Sequence, residues 1–134
     1  MRILIGVDGS AASLDAVRMA AILVDPSRDS VATYFSPLEL QKRLPGRSQA
    51  VVDGAVAAVV EEARGLLPDE LAPRTESITA PQPAAVGLLD AAARWRADLL
   101  VVGARGHGSI ERFLLGSVSR AVVHGAAIPV LVVR

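Results

Sequence analysis

A cluster of glycine and serine residues lies near the C-terminus of the sequence, directly after an apolar run. The run from Leu99 to Val102 is apolar at every position, as in a strand that is buried on both faces. The small residues that follow are Gly103, Gly106, Gly116, Ser117, Val118 and Ser119. Glycine lets a backbone approach a ligand closely, and the unpaired N–H groups at a helix start attract anions. The stretch therefore predicts a site for the phosphates of a nucleotide.

A second polar turn follows the first predicted strand. Residues 2–7 are largely apolar and rich in β-branched side chains, and Asp8, Gly9 and Ser10 come directly after them. In an open sheet wound in both directions, ligands bind at the carboxyl ends of strands where the winding reverses. If the first and fourth strands are neighbours, the Asp8 turn (residues 8–10) and the glycine loop (residues 103–106) face each other across one crevice.

The elements that must position these turns alternate along the chain. Apolar periodicity predicts strands at 2–7, 31–35, 74–79, 99–102 and 128–133, and helices at 11–24, about 50–67, 85–95 and 117–124. Ser10 is a predicted N-cap and Gly125 a predicted helix stop, whereas residues 36–49 are predicted mostly as loop with room for one or two helical turns. This alternation predicts an α/β fold, an open doubly wound parallel sheet with helices on both faces, in one domain over residues 1–134.

Composition excludes several classes of function. Fourteen basic and fourteen acidic residues balance in a chain of 134, so no basic surface for nucleic acid or anionic membranes is indicated. The absence of cysteine removes disulfides, thiolate metal sites and cysteine nucleophiles. The apolar run at the N-terminus is too short for a signal peptide, and no run is long enough to span a bilayer. A cytoplasmic location is therefore expected.

The spacing of four residues carries a resemblance to a known family. Gly103, Gly106, Gly116 and Ser117 form the pattern G-x2-G-x9-G-S, which resembles the ATP-binding signature of the universal stress protein family. The likeness extends to the opening Ile-Leu-Ile-Gly-Val-Asp-Gly-Ser and the closing Ile-Pro-Val-Leu-Val-Val. The resemblance implies a five-stranded sheet of order 3-2-1-4-5, like that of the adenine nucleotide α-hydrolases, and commonly a dimer.

The resemblance also implies roles for individual residues. The acidic residue at Asp8 would lie near adenine and ribose, and the loop of residues 103–106 would wrap ribose and phosphates. Gly116, Ser117 and the Ser119 hydroxyl would hold phosphate. The end of the second strand would line the adenine, although Tyr34 and Phe35 stand where a His-Val ending is more usual. The predicted cofactor-binding residues are Asp8, Gly9, Ser10, Tyr34, Gly103, Arg105, Gly106, His107, Gly116, Ser117, Val118 and Ser119.

The same residues also have purely structural interpretations. Asp8 could orient the first helical turn, and Ser117 could be only an N-cap, a role that serine often fills. Arg105 could be a solvated surface charge, but its place between two glycines favours a phosphate or ribose contact. His107 has no Ser or Asp partner in a triad-like context, so a backbone-positioning or phosphate contact is predicted instead of catalysis.

The predicted site has groups for holding phosphate but few for transferring it. The P-loop pattern G-x-x-x-x-G-K-[ST] is absent, and the one lysine, Lys42, lies in the predicted loop. We therefore predict a regulatory module of the stress response in which ATP, with Mg²⁺, acts mainly as a signal and is hydrolysed slowly at most. No catalytic or metal-ligating residue is assigned. A slow ATPase and a dimeric interaction module that needs no nucleotide are the alternatives.

The last predicted strand bears on the second alternative. Residues 130–133 carry no charge and would lie at the edge of the sheet, where an exposed apolar strand tends to pair with another chain. We therefore predict a homodimer formed by antiparallel pairing of residues 128–133 with the same strand of a second subunit.

Overall fold

A computed structural model describes residues 1–105 and 115–134 of the chain. The described elements are β1 (Arg2–Gly6), α1 (Ala11–Leu23), β2 (Ser30–Phe35), α2 (Pro37–Arg43), α3 (Gln49–Arg64), a 3-10 turn (Ala72–Arg74), β3 (Glu76–Thr79), α4 (Ala84–Trp95), β4 (Leu99–Gly103), α5 (Ser117–Gly125) and β5 (Val130–Val133). None of the helices within these residues is long and apolar enough to cross a membrane.

The five strands form one parallel sheet in the order β3-β2-β1-β4-β5, which confirms the predicted fold class and strand order. β1 and β4 are direct neighbours, with Ile3 opposite Leu99 and Ile5 opposite Val101. Because the strands are parallel, the segments that follow β1 and β4 leave the sheet at the same edge. The winding reverses between these two strands, so the Asp8 turn and the start of the glycine loop lie beside each other.

Apolar side chains are buried on both faces of the sheet. Along β1, Ile3 and Ile5 pack on the α1 side while Leu4 packs on the side of α4 and α5, and all three are fully buried. Side chains alternate between the faces of a strand, so a strand covered on both faces has to be apolar at every position. The predicted double burial of β4 is confirmed, since Leu100, Val101 and Val102 are buried as well.

The segment between β2 and α3 differs from its prediction as mostly loop. It contains α2, which Pro37 opens at its first turn, a position where proline costs no helical hydrogen bond. The helix is held in place by Leu40, which is buried against Phe35 and Val52. Its seven residues are too few for a stable isolated helix, so this contact with α3 and β2 is what fixes it.

Helix ends match the sequence predictions at α1 but not at α5. Ser10 caps α1 as predicted, with its Oγ accepting from the Ser13 N–H at 3.2 Å. The interpretation of Ser117 as an N-cap is wrong, because Gly116 takes the cap position with φ −60° and ψ 163°. The predicted stop at Gly125 is also wrong, since Gly125 is the last helical residue and Ala126 takes the C-cap position.

Candidate functional site

The Asp8 turn is organised by its own side chains. The Asp8 carboxylate accepts from the Ser10 N–H at 2.8 Å, and the Asp8 N–H contacts the Ser13 Oγ at 3.3 Å. Gly9 has a φ of 82°, in the left-handed region that glycine adopts without strain. One role of Asp8 is therefore to orient the start of α1, as the structural interpretation predicted, while its half-buried carboxylate stays at the crevice.

Gly103, at the end of β4, lies directly against the first turn of α1. A Cβ built on Gly103 would fall 2.6 Å from the carbonyl carbon of Ala12 and 2.7 Å from its oxygen. Real Cβ atoms do not approach backbone this closely, so no larger residue fits without moving α1 or β4. The clearance that glycine provides here is thus used by the protein's own helix.

The start of α5 is tied to the end of β4 by two short hydrogen bonds. The Gly116 N–H donates to the Ala104 carbonyl at 2.8 Å, and the Ser119 hydroxyl contacts the Gly103 carbonyl at 2.7 Å. The Ser119 side chain is only 3% exposed, and its Oγ also lies 3.1 Å from the Ala104 carbonyl. Ser119 therefore positions α5, and the phosphate contact implied for it stays a prediction.

The N-terminus of α5 follows the end of β4 and has no side-chain cap among the described residues. Ser117 is exposed at the first helical position, and Gly116 and Val118 are partly exposed. In contrast, α1 uses Ser10 to satisfy one of its first N–H groups. An α-helix leaves its first N–H groups without partners inside the helix, and together they carry about half a positive charge. This end of α5 is the part of the crevice best suited to an anion.

Two of the predicted site residues, Gly106 and His107, lie outside the described residues. Arg105 comes just before them and is partly exposed at the end of the β4 segment. The contacts predicted for these three residues remain predictions.

Tyr34 lies under α4 rather than in the group formed by the Asp8 turn and α5. Its side chain is 2% exposed and belongs to the core on the α4 side, where a methyl group at Gly87 would overlap the tyrosine hydroxyl. Among the described residues this hydroxyl has no hydrogen-bond partner. Burial raises the pKa of Tyr34 above its usual value of 10.0, and the nearby Asp90 carboxylate raises it further. The ring is thus a core group, and any ligand contact would come from the backbone at the end of β2.

Replacing Tyr34 with phenylalanine tests this placement. Since the hydroxyl is buried without a described partner, we expect the free energy of unfolding to stay unchanged or to rise by up to about 1 kcal/mol. The raised pKa means that the native state keeps the proton while the unfolded chain loses it near pH 10, so wild-type stability falls as the pH rises above that value. The variant should lose this alkaline component, as measured by thermal unfolding between pH 8 and about 11.

Tyr34 is the single tyrosine in the chain, so its ionisation can also be followed directly by phenolate absorbance. A pKa at the ordinary value, or a Tyr34→Phe variant that is less stable by several kcal/mol, would contradict a buried hydroxyl without a partner.

Sequence reasoning missed a basic side chain at the crevice. Arg43, the last residue of α2, donates from Nη2 to the Asp8 main-chain carbonyl at 3.1 Å. The two residues are 35 positions apart, and α2 was predicted mostly as loop, so no local pattern signals the contact. The only cue is a basic residue in the last turn of a short segment after β2.

These features define a class of α/β protein with an open parallel sheet whose winding reverses between β1 and β4, where a glycine turn and a helix start without a described side-chain cap follow the two strands. A model of the universal stress protein family matches residues 1–134, the whole chain. The chain belongs to the universal stress protein family.

Individual relatives agree with this assignment. A universal stress protein of Mycobacterium tuberculosis is 34% identical over 142 residues, which cover 98% of this chain and 45% of that protein. A universal stress protein A homolog of Coxiella burnetii is 48% identical over 52 residues, 39% of this chain and 35% of that protein. The chain therefore spans about half the length, or less, of these curated relatives.

Solved structures show the same fold. A universal stress protein crystallised in complex with cAMP is 26% identical with a TM-score of 0.74, and the match covers 100% of this chain and 96% of that one. A universal stress protein from Lactobacillus plantarum is 23% identical with a TM-score of 0.78, over 100% and 97% of the two chains. One from Archaeoglobus fulgidus in complex with dAMP is 24% identical with a TM-score of 0.74, over 100% and 98%.

Proposed function

We propose that this chain binds an adenine nucleotide as a regulatory module, with ATP acting mainly as a signal and hydrolysed slowly at most. The observation that carries the proposal is the α5 N-terminus, which lacks a described side-chain cap and is hydrogen-bonded to the end of β4, the strand that pairs with β1. The structures with cAMP and dAMP support it, because both ligands are adenine nucleotides bound by proteins of the same family and fold.

Each part of the crevice has a group suited to one part of a nucleotide. The first N–H groups of α5 and the exposed Ser117 hydroxyl can donate to phosphate oxygens, and the helix charge favours the anion. The Asp8 carboxylate can accept from ribose hydroxyls. Within residues 1–105 and 115–134, no group of three His, Asp or Glu side chains could hold a metal ion, so we expect Mg²⁺ to be held mainly by the phosphates of ATP.

The position of the lysine supports a role in binding over one in phosphoryl transfer. The Lys42 ammonium pairs with Glu39 at 3.3 Å on the exposed side of α2, and both residues belong to that helix. P-loop enzymes place a lysine on the transferred phosphates, and this one is engaged elsewhere. We accordingly propose a signalling role, in the stress response and in the cytoplasm, in which the bound nucleotide changes what the protein contacts.

Ser117→Pro tests the site with little disturbance of the fold. Proline is favoured at the first helical position, and the extended Gly116 before it (ψ 163°) suits a following proline. The change removes one N–H donor and the hydroxyl from the proposed phosphate site. Ala11→Pro is the matched control, since Ala11 is the exposed first residue of α1 and follows Ser10 with ψ 157°.

The measurement is thermal unfolding with Mg²⁺-ATP, ADP, GTP or no ligand. A ligand at about a hundred times its dissociation constant stabilises the native state by about 2.7 kcal/mol. We expect adenine nucleotides to stabilise wild type and Ala11→Pro equally and Ser117→Pro much less. If no nucleotide stabilises the wild type, and none is carried through purification, the nucleotide-binding proposal is wrong and a nucleotide-independent interaction module replaces it.

The position of β5 at the edge of the sheet supports a second proposal, that the protein forms a homodimer. The Leu100 N–H donates to the Pro129 carbonyl at 3.0 Å and the Ala104 N–H to the Val133 carbonyl at 2.7 Å, so residues 129, 131 and 133 face β4. Main-chain groups alternate in direction along a strand, so those of Val130 and Val132 point away from the sheet. We propose that residues 128–133 pair antiparallel with the same strand of a second subunit.

A further inference from the structure

Arg43 places a cation at the crevice by a contact with the main chain. Its guanidinium donates to the Asp8 carbonyl at 3.1 Å, and the side chain as a whole is exposed. The adjacent Lys42 instead pairs with a carboxylate of its own helix, Glu39. A guanidinium has five N–H donors, so one bond to Asp8 fixes its position and leaves further donors for another molecule.

The helix that carries Arg43 is anchored at two points. Leu40 is buried against Phe35 and Val52, and the hydroxyl of Ser36, which precedes the helix, donates to the Gln82 carbonyl at 3.0 Å. Arg43 therefore extends from a supported helix, and its bond to Asp8 joins the end of α2 to the end of β1. This bond restricts the guanidinium before a ligand arrives, which lowers the entropy cost of binding.

The order of the strands decides which end of the crevice Arg43 occupies. The segments after β2, β1 and β4 follow one another along the sheet edge, with the Asp8 turn in the middle. The α5 N-terminus lies on the β4 side, and Arg43 comes from the β2 side. Neighbouring strands are about 4.8 Å apart, so the ends of β2 and β4 are separated by roughly 10 Å along the edge, with the Arg43 guanidinium bonded to the Asp8 turn between them. A nucleotide whose phosphates lie at the α5 N-terminus would have its ribose beside Asp8 and its base toward α2.

We propose that Arg43 is a base-binding residue, whose guanidinium, held by the Asp8 carbonyl, lies against the face of the purine. This inference rests on the proposed nucleotide binding. A planar guanidinium stacks on aromatic rings and keeps its donors in the plane, whereas a lysine ammonium is a compact point charge. A phosphate role is disfavoured because Arg43 reaches Asp8 from the β2 side, whereas the helix start proposed to hold phosphate follows β4.

The test compares Arg43→Ala, Arg43→Lys and a matched control, Lys42→Ala, which removes the neighbouring charge from the same helix. Each variant is titrated calorimetrically with ATP, adenosine and inorganic tripolyphosphate. We expect Arg43→Ala to weaken the binding of ATP and of adenosine by the same factor, about three- to thirty-fold, which is the range that cation–π contacts span. Tripolyphosphate binding should stay within twofold of wild type. Arg43→Lys should recover little of the loss, and Lys42→Ala should change none of the three.

Several outcomes separate this inference from the proposed function. If the wild type binds neither ATP nor adenosine, the proposed function fails first. If the wild type binds both and Arg43→Ala binds them equally well, only the base contact is refuted. An equal loss for tripolyphosphate would place Arg43 at the phosphates and overturn the inference. Because Arg43 also joins α2 to β1, unfolding without ligand is measured for each variant. If the alanine variant is unstable, Arg43→Gln, which keeps a polar uncharged side chain at this position, replaces it in the comparison.

Discussion

Replacing Gly103 by alanine is expected to lower the free energy of unfolding by about 3 kcal/mol, at the upper end of the usual range for an overpacked position. The added Cβ would lie 2.6 Å and 2.7 Å from main-chain atoms of Ala12. Since backbone cannot rotate away as a side chain does, α1 or β4 has to shift. For a chain of this size the melting temperature should drop by roughly 10 °C, as measured by thermal or chemical unfolding.

Gly54→Ala provides the control for this prediction. Gly54 is exposed within α3 and a Cβ there would meet nothing within 4 Å, so the same change should stabilise the protein by about 0.5–1 kcal/mol. Adding Ala12→Gly to Gly103→Ala should not restore stability, because the two closest atoms belong to the backbone. A Gly103→Ala variant as stable as wild type would show that α1 can move away from β4 at little cost.

The crowding at Gly103 affects how nucleotide-binding experiments are interpreted. A Gly103 variant that loses nucleotide binding could do so because α1 and the Asp8 turn have moved, without any contact between Gly103 and the ligand. The same holds for Ser119, whose hydroxyl joins α5 to the end of β4. Ser117→Pro is the sharper test, because it changes an exposed position of α5 and leaves these packing contacts in place.

Val132→Pro is expected to convert a dimer into a folded monomer. The Val132 N–H points away from β4, so proline there removes a donor from the outer edge and keeps the hydrogen bonds within the sheet. The expected change is complete dissociation at micromolar concentration, measured by analytical ultracentrifugation, with a circular dichroism spectrum like that of wild type.

Leu131→Pro is the matched comparison, one residue away. The Leu131 main chain faces β4 and its side chain packs on the α1 side of the core, so proline there removes a hydrogen bond inside the sheet and should yield unfolded or insoluble protein. Leu131→Lys places a charge in this partly buried side chain of the edge strand and should yield monomers or insoluble protein. A Val132→Pro variant that remains dimeric, or a wild type that is monomeric at high concentration, would rule out this interface.

Several features of the protein followed from the sequence because they depend on neighbouring residues. The apolar run of β4, the cap at Ser10 and the alternation of strands and helices are set by side-chain periodicity and local backbone sterics. Strands that alternate with helices, run parallel and are joined by right-handed crossovers allow few topologies. The spacing of the glycines also resembled that of one family. The strand order and the adjacency of the Asp8 turn and Gly103 were therefore predictable.

The tertiary structure decided what depends on contacts between distant residues. Burial of Leu40 makes a helix of a segment that was predicted mostly as loop. Gly116, whose N–H is bonded to the Ala104 carbonyl, takes the N-cap position of α5 that was considered for Ser117. The sequence did not reveal that Tyr34 lies under α4 or that Arg43 reaches Asp8. The physical reason is that periodicity specifies which face of an element is apolar, whereas the neighbours of a side chain depend on how all the elements pack together.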